Sequence, residues 1–484
     1  MPDTLDKTYD RTLEEIGKQN WEYAHRLFQC VAAASRPLLV EELAEFLAFN
    51  FDTDSTPTLR EDWREEDPAH AVRSTCSSVL SIVDVDGLSV IQFAHFSVKE
   101  YLTSKRLAES QETISRFYVS MTIAHTVVAR ACLGVLLHIH ENPTLGDLDK
   151  FPLAEYAAQY WTDHARFEGV SRNIQDGMKS LFDPNNHHFH VWAWIYHPER
   201  RGGISGRPER QPWLSDPPLH HAAFLGLHDV IKFLVVERSQ NVNARGFKRH
   251  ETPLSVASRE GYSEVARLLL KYGADTETRD ESGYSPLEWS SEKGHVEVVR
   301  VLLENHADMN FLDEEKWTAL HLGRDAAVAR VLLENGMDAN AKKTNDETPL
   351  HRAKTGGRAR VLLEYGADPN SRDCNNETPL HRSMARRWES TEAARVLLEN
   401  GADLNARDAE YQTPLHVASE YGYLDGVRLL LQHGADIHAQ DDEGRTPFQA
   451  AAASESESEP EFVRSYQNIM KLLLEHEAKD SRTQ

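Results

Sequence analysis

Cysteine is scarce in this chain. Its 484 residues hold four, Cys30, Cys76, Cys132 and Cys374, and no two stand at CxxC spacing. A disulfide framework is therefore not expected, and a reducing compartment is the better assignment. Positive charge is also short: 53 Lys and Arg face 77 Asp and Glu, a formal net charge of −24. A polyphosphate is repelled by such a field, which argues against general nucleic-acid binding, although a local basic patch could still exist. No long apolar run is present. The longest stretch, from Ile123 to Ile139, contains His125 and Arg130. It is too short and too polar to span a bilayer and reads as a buried helix. The start, Met1-Pro2-Asp3, lacks the apolar core of a signal peptide. Together these absences lead us to expect a cytoplasmic or nuclear protein that binds neither membrane nor nucleic acid.

What is present is repetition. Thr-Pro-Leu-His, or a near variant, starts at Pro217, Thr252, Ser285, Thr318, Thr348, Thr378, Thr413 and Thr446, with steps of 35, 33, 33, 30, 30, 35 and 33 residues. A second motif is linked to it. Paired leucines precede Gly273-Ala274-Asp275, Gly336-Met337-Asp338, Gly366-Ala367-Asp368, Gly401-Ala402-Asp403 and Gly434-Ala435-Asp436. The Thr suits a helix N-cap and the Pro suits the first helical position, where its missing N–H costs nothing. The leucines cover a face that meets the next unit, and the Gly supplies a left-handed stop. This is the ankyrin pattern of a β-turn and two antiparallel helices, each unit stabilised by its neighbours. Two units, at Thr318 and Thr348, lack three residues after the His, close to one helical turn. The last unit carries Ser454-Glu455-Ser456-Glu457-Ser458-Glu459-Pro460, which reads as a disordered polar insertion.

Before the repeats, helical periodicity covers Tyr9 to Cys30, Val40 to Phe49, Val72 to Leu80 and Ser97 to Leu107. Ile82 to Val85 and Val90 to Phe93 flank Asp86-Gly87, a hairpin signal. Helices around a hairpin suggest a winged helix. Thr113 to His140 and Leu153 to Phe182 then read as a helical domain closed by Trp192 and Trp194. The fold class is mostly α: a winged-helix-like region at 1–110, a helical domain at 111–197, a linker at 198–212, and an ankyrin solenoid of about eight units at 213–484.

Ala24-His25-Arg26-Leu27, Arg36-Pro37-Leu38, Val40-Glu41-Glu42-Leu43 and the run Phe93 to Leu102 resemble the region that follows the nucleotide-binding domain in fungal NACHT–ankyrin proteins of the NLR-like type. Ala131 to Leu136, Leu153 to Ala157 and Gln175 to Met178 are similar to the helical segments after it. The resemblance implies the sensor and regulatory portion of such a protein. No GxxxxGK[ST] occurs, since Gly17-Lys18 is followed by Gln19, so the NACHT NTPase is expected to be lacking.

No residue set calls for catalysis, a cofactor or a metal. His187, His188 and His190 lack partners at ligand spacing and read as turn or packing residues. His220, His321, His351, His381 and His416 share one motif position, which in the resembling family bonds the backbone between repeats. Ser120 and Ser180 have no GxSxG elbow. The binding candidates are the residues just before each Thr, which in ankyrin proteins project onto the concave face: Glu251, Tyr284, Trp317, Glu347, Glu377, Gln412 and Arg445. Two aromatics followed by two acids make a plausible strip for a protein partner. The competing reading packs Trp317 over a neighbouring finger. Recognition of a protein is thus the expected activity, with a non-catalytic subunit or adaptor for an enzyme as the alternative.

Overall fold

The computed structural model describes residues 3–18, 20–51, 56–64, 67–76, 79–196, 217–246, 249–309, 317–385, 391–457 and 460–483. The linker expected at 198–212 lies outside them. The chain forms two compact units, Met1–Asn241 and Val242–Gln484.

The first unit opens with α1 (Asp3–Glu14), α2 (Trp21–Ala33), β1 (Leu38–Leu39), α3 (Val40–Glu45), β2 (Phe49–Asn50), β3 (Thr58–Leu59), α4 (Pro68–Cys76), β4 (Leu80–Val85), β5 (Leu88–Phe93), α5 (Phe96–Leu102), α6 (Lys105–Ala108) and α7 (Glu112–Ser115). An antiparallel sheet of order β1-β5-β4, with Leu38 opposite Ile91 and Ile82 opposite Ile91, completes the winged helix. Its hairpin turns through Asp86 at φ 53° and Gly87 at φ 80°, the two positive angles of a type I′ turn. The single helix expected over Tyr9 to Cys30 is two, because Gly17 is a weak helix former and Asn20 opens the second. The helix expected to run to Phe49 stops at Glu45 and gives way to a 3-10 turn and β2.

The helical region is α8 (Met121–His138), α9 (Leu145–Leu148), α10 (Ala154–Ala165), α11 (Gln175–Phe182) and α12 (His188–Tyr196). Among the described residues α8 is the one helix long and apolar enough to cross a membrane, and half of it is buried within the unit. It is the central core helix: Ala124, Val128, Cys132, Val135 and Leu136 are fully buried. Gly134 lets the chain cross closely, since a Cβ there would stand 2.7 Å from the Pro57 carbonyl oxygen. The first ankyrin pair, Pro218–Leu225 and His228–Lys232, belongs to this unit. Gln175 bonds Asp229 at 3.0 Å, Arg238 pairs with Asp183 at 2.6 Å, and His221 meets Trp192 edge-on at 5.7 Å.

The second unit repeats one device. Thr252 caps its helix by accepting from the Ser255 N–H at 3.3 Å. Ser285 and Glu288 form a capping box. In four later units His takes the box position: His321, His351, His381 and His416 accept the N–H of Thr318, Thr348, Thr378 and Thr413 on Nδ1 at 3.2–3.4 Å. Gly273, Gly336, Gly366, Gly401 and Gly434 stop the outer helices at φ of 84–94°, as a residue without Cβ allows.

Inner helices Pro253–Glu260 and Pro286–Lys293 have 8 residues, whereas Ala319–Leu322 and Pro349–Arg352 have 4. The three missing residues thus come out of the inner helix. Arg358, 2% exposed, fills the gap and donates to the Leu320, His321 and Arg352 carbonyls at 2.7, 3.4 and 2.9 Å. At the C-terminal end the helix Pro447–Glu457 takes in Ser454 to Glu457, so that stretch of the expected disordered insertion is helical. Ala450 to Ala453 carry the helix forward and Pro460 opens the next one, Pro460–Thr483.

Candidate functional site

The finger row is held at both N–H and C=O at Tyr284, Glu347, Glu377, Gln412 and Arg445. Asp280, Asp373, Asp408 and Asp441 accept the N–H of Tyr284, Glu377, Gln412 and Arg445 at 2.7–3.0 Å. From the preceding unit, Nε2 of His321, His351, His381 and His416 donates to the carbonyls of Glu347, Glu377, Gln412 and Arg445 at 3.0–3.1 Å. Each of these four histidines therefore caps its own helix through Nδ1 and positions the next finger through Nε2. Burial lowers the His321 and His381 pKa values to about 4, and those of His351 and His416 fall for the same reason. All four rings are neutral at pH 7, which both bonds require.

The side chains divide by accessibility. Tyr284 is half-buried and tilts against Trp289 at 4.8 Å, whose Nε1 donates to Asp280 at 2.9 Å. Trp317 is half-buried, with Lys343 Nζ 3.7 Å and Arg352 Cζ 4.5 Å from its ring centre. Glu347 is 2% exposed and lies under Lys343, Arg352 and Arg382 at 3.0, 3.8 and 3.5 Å. Burial raises its carboxyl, but the Lys343 hydrogen bond and the three cations outweigh that and the net shift is down. Glu377 pairs with Arg382 at 3.2 Å. Burial raises its carboxyl against the pull of Arg382, and Asp373 and Asp408 add to the rise. Gln412 is buried and donates to Glu420 at 3.1 Å. Arg445 pairs with Asp441 at 2.9 Å, and Glu251 is buried against Arg259.

The acids at 251 and 347 are thus covered by their own cations, and the partly exposed groups over Glu347 are Arg352, which also lies over the Trp317 ring, and Arg382. Sequence reasoning missed these arginines, Trp289, Lys343 and the finger aspartates. The signal was available: Asp stands five residues before Ser285, Thr378, Thr413 and Thr446, and Lys343 takes that place before Thr348.

Elsewhere, Nε2 of His187 bonds the Ile139 carbonyl at 3.2 Å, and burial lowers the His188 pKa. Among the described residues no three His, Cys, Asp or Glu side chains cluster as metal ligands would. In the first unit a cavity of about 460 Å³ opens beside Thr56, Arg130, Arg172 and the start of α11.

Two-helix units joined by β-turn fingers, four of the fingers pinned by the preceding unit's histidine, define an ankyrin-repeat protein. The chain belongs to the ankyrin-repeat family: the description "Ankyrin repeats (3 copies)" matches residues 208–280, 273–343, 316–408, 358–441 and 407–484. Residues 9–115 match "GPI inositol-deacylase, winged helix domain". The chain is 28% identical over 291 residues to "Azaphilone pigments biosynthesis cluster protein L" of Monascus ruber, covering 57% of this chain and 60% of the relative. It is 36% identical over 66 residues to "Alpha-latrocrustotoxin-Lt1a" of Latrodectus tredecimguttatus, covering 14% of this chain and 5% of the toxin. The chain spans less than two thirds of the length of either curated relative.

Proposed function

We propose that the chain is a protein-recognition module whose ankyrin fingers receive a partner on their concave side, and that it is the sensor or regulatory part of an NLR-like signalling protein acting in the cytoplasm or nucleus. The observation that carries the reading is the finger row itself. At Tyr284, Glu347, Glu377, Gln412 and Arg445 its backbone is bonded at both N–H and C=O, which lowers the ordering cost of presenting their side chains, and the Trp317 ring is held by Lys343 and Arg352. The order of winged helix, helical region and ankyrin array supports the signalling part of the reading. No residue is assigned a catalytic role.

A second reading, an adaptor that brings an enzyme to its substrate, is favoured by the Monascus ruber relative, whose name places it in a pigment-biosynthesis cluster. Affinity capture with the full chain, followed by mass spectrometry and a direct affinity measurement, separates the two: an enzyme among the specific partners favours the adaptor. Trp317→Ala should weaken the captured partner by ~2 kcal/mol or more, as hot-spot aromatics do. Its cost in stability should stay near ~1 kcal/mol, the loss of its cation contacts. Unchanged affinity with a large fall in the urea midpoint would make Trp317 a packing residue only.

A further inference from the structure

In the sheet β1-β5-β4 of the first unit, β4 stands at the edge and pairs with β5 alone among the described residues. Ala94 N–H donates to the Val79 carbonyl at 3.0 Å, which continues the ladder one step beyond Leu80 opposite Phe93. Bonded and unbonded pairs alternate along an antiparallel ladder, so Ser81, Val83 and Val85 bond toward β5. The N–H and C=O groups of Leu80, Ile82 and Asp84 therefore point to the free edge. Natural edges are guarded by lysine, proline or a bulge. β4, Leu-Ser-Ile-Val-Asp-Val, has neither residue, and its register with β5 is unbroken over six pairs. Asp84, its one charge, is tied into the turn, where it accepts the Gly87 N–H at 3.1 Å. The inner face of the sheet carries Leu38, Leu80 and Ile91 into the core. The outer face carries the apolar row Leu39–Val90–Val83, and beside it Val85 and Leu88, which are 49% and 56% exposed.

We propose that two copies of the chain pair antiparallel through β4, edge to edge, and so join their sheets across a two-fold axis. The strand is complementary to itself. With Val83 opposite the second copy's Val83, Ile82 falls opposite Asp84 on either side of the axis. Each of those two pairs exchanges two main-chain hydrogen bonds, about four in all, from groups that already point outward. The paired positions differ by an even number, so inner face continues inner face and outer face continues outer face. The row Leu39–Val90–Val83 then runs on into its own copy, Val85 lies opposite Ser81, and no Asp84 faces another. Pairing of one patch with itself about a two-fold axis is the commonest symmetry of homo-oligomers. One strand and its outer face make a small interface, so the dimer is transient, with a Kd on the order of 10 µM. Each dimer carries two ankyrin arrays.

Sedimentation equilibrium of the full chain tests this. The weight-average mass should rise from monomer toward dimer between about 1 and 100 µM. The chain's charge of −24 opposes self-association and salt screens it, so the dimer should strengthen between about 0.05 and 0.5 M salt. Val83→Lys sets two ammonium groups against each other on the axis and should weaken the dimer at least roughly tenfold. Asp84→Pro removes an outward N–H without touching the main-chain bonds to β5, and should also weaken it. Leu88→Lys adds a cation to β5, away from the edge, and should not weaken it. If circular dichroism shows a β4 variant misfolded, Ser81→Lys replaces it, with a smaller loss expected. A chain monomeric throughout, a dimer indifferent to the β4 variants, or one weakened by salt would overturn the proposal. Loss of the dimer in Leu88→Lys but not in Asp84→Pro would overturn it in favour of packing between outer faces. A monomeric chain that captures a foreign protein, released by Val83→Lys, would assign the edge to that protein instead and overturn it as well.

Discussion

His321, His351, His381 and His416 each serve two elements through one imidazole. Nδ1 accepts the N–H that opens the inner helix, and Nε2–H donates to the carbonyl of the next finger. Protonating Nδ1 removes the acceptor and puts a charge where burial disfavours it. The folded-state pKa of about 4 at His321 and His381 lies below the ordinary 6.5, so the unfolded chain binds more protons between those values. The stability these rings contribute is complete above pH 6.5 and is lost as pH falls toward about 4. The buried carboxyls Glu251 and Glu377, raised above their usual range, act in the opposite sense. A comparison of variants isolates the histidine part. Urea midpoints at pH 7.5 and pH 5 should differ clearly in the parent chain and much less in His321→Gln, His381→Gln. An unchanged difference would assign the acid sensitivity to other groups, with His164 of the first unit next in line. Burial lowers its pKa to about 3, and its ring lies between His125 Nδ1 at 2.8 Å and the Tyr156 hydroxyl at 3.0 Å.

Among the elements, the shortened inner helices are the ones that needed a remedy. A helix ending after four residues leaves carbonyls with no following turn to bond them. Arg358 supplies five donors in a fixed fork and satisfies carbonyls of two successive short helices. A buried acceptor left unpaired costs roughly 1–3 kcal/mol. Arg358→Ala should therefore destabilise the chain by about 2–4 kcal/mol in urea unfolding. Arg358→Lys should recover only part of this, because an ammonium cannot span the same three oxygens. A loss below about 1 kcal/mol for Arg358→Ala would show that water replaces the guanidinium there.

The repeat array is held together by nearest-neighbour contacts, so a defect at one end should stay near that end. The terminal helix Pro460–Thr483 buries Tyr466, Ile469 and Leu473, and Tyr466 donates to the Glu420 carbonyl at 3.0 Å. Each large apolar side chain of this kind contributes roughly 1.5–3 kcal/mol when buried. Deletion of residues 460–484 should strip hydrogen-exchange protection from the helices Pro414–Glu420 and Leu424–Gln432. Protection should persist at Ala326–Glu334 and Gly356–Glu364, two to three units away. Uniform loss across the whole second unit would mean that it unfolds as one cooperative block.

The repeat period, the Thr-Pro helix starts, the Gly stops and the Asp86-Gly87 hairpin were legible in the sequence because each depends on backbone conformation and neighbours close in the chain. Gly stands where φ must be positive, Pro where a helical N–H has no partner, and Thr where one needs an acceptor. The structural role of the motif histidines was legible for the same reason, since one offset recurs in every unit that carries them. The accessible chemistry of the finger row was not. Glu347 reads as an exposed acid in one dimension. It is buried because Lys343, Arg352 and Arg382, drawn from three separate segments, converge on it. The use of Arg358 depends likewise on the Leu320 and His321 carbonyls, 38 and 37 residues away. Local preferences determined where each turn and helix begins. Only the stacking of the units decided which charges are spent inside the array and which face outward, because electrostatic pairing acts across space at a few ångströms without regard to distance along the chain.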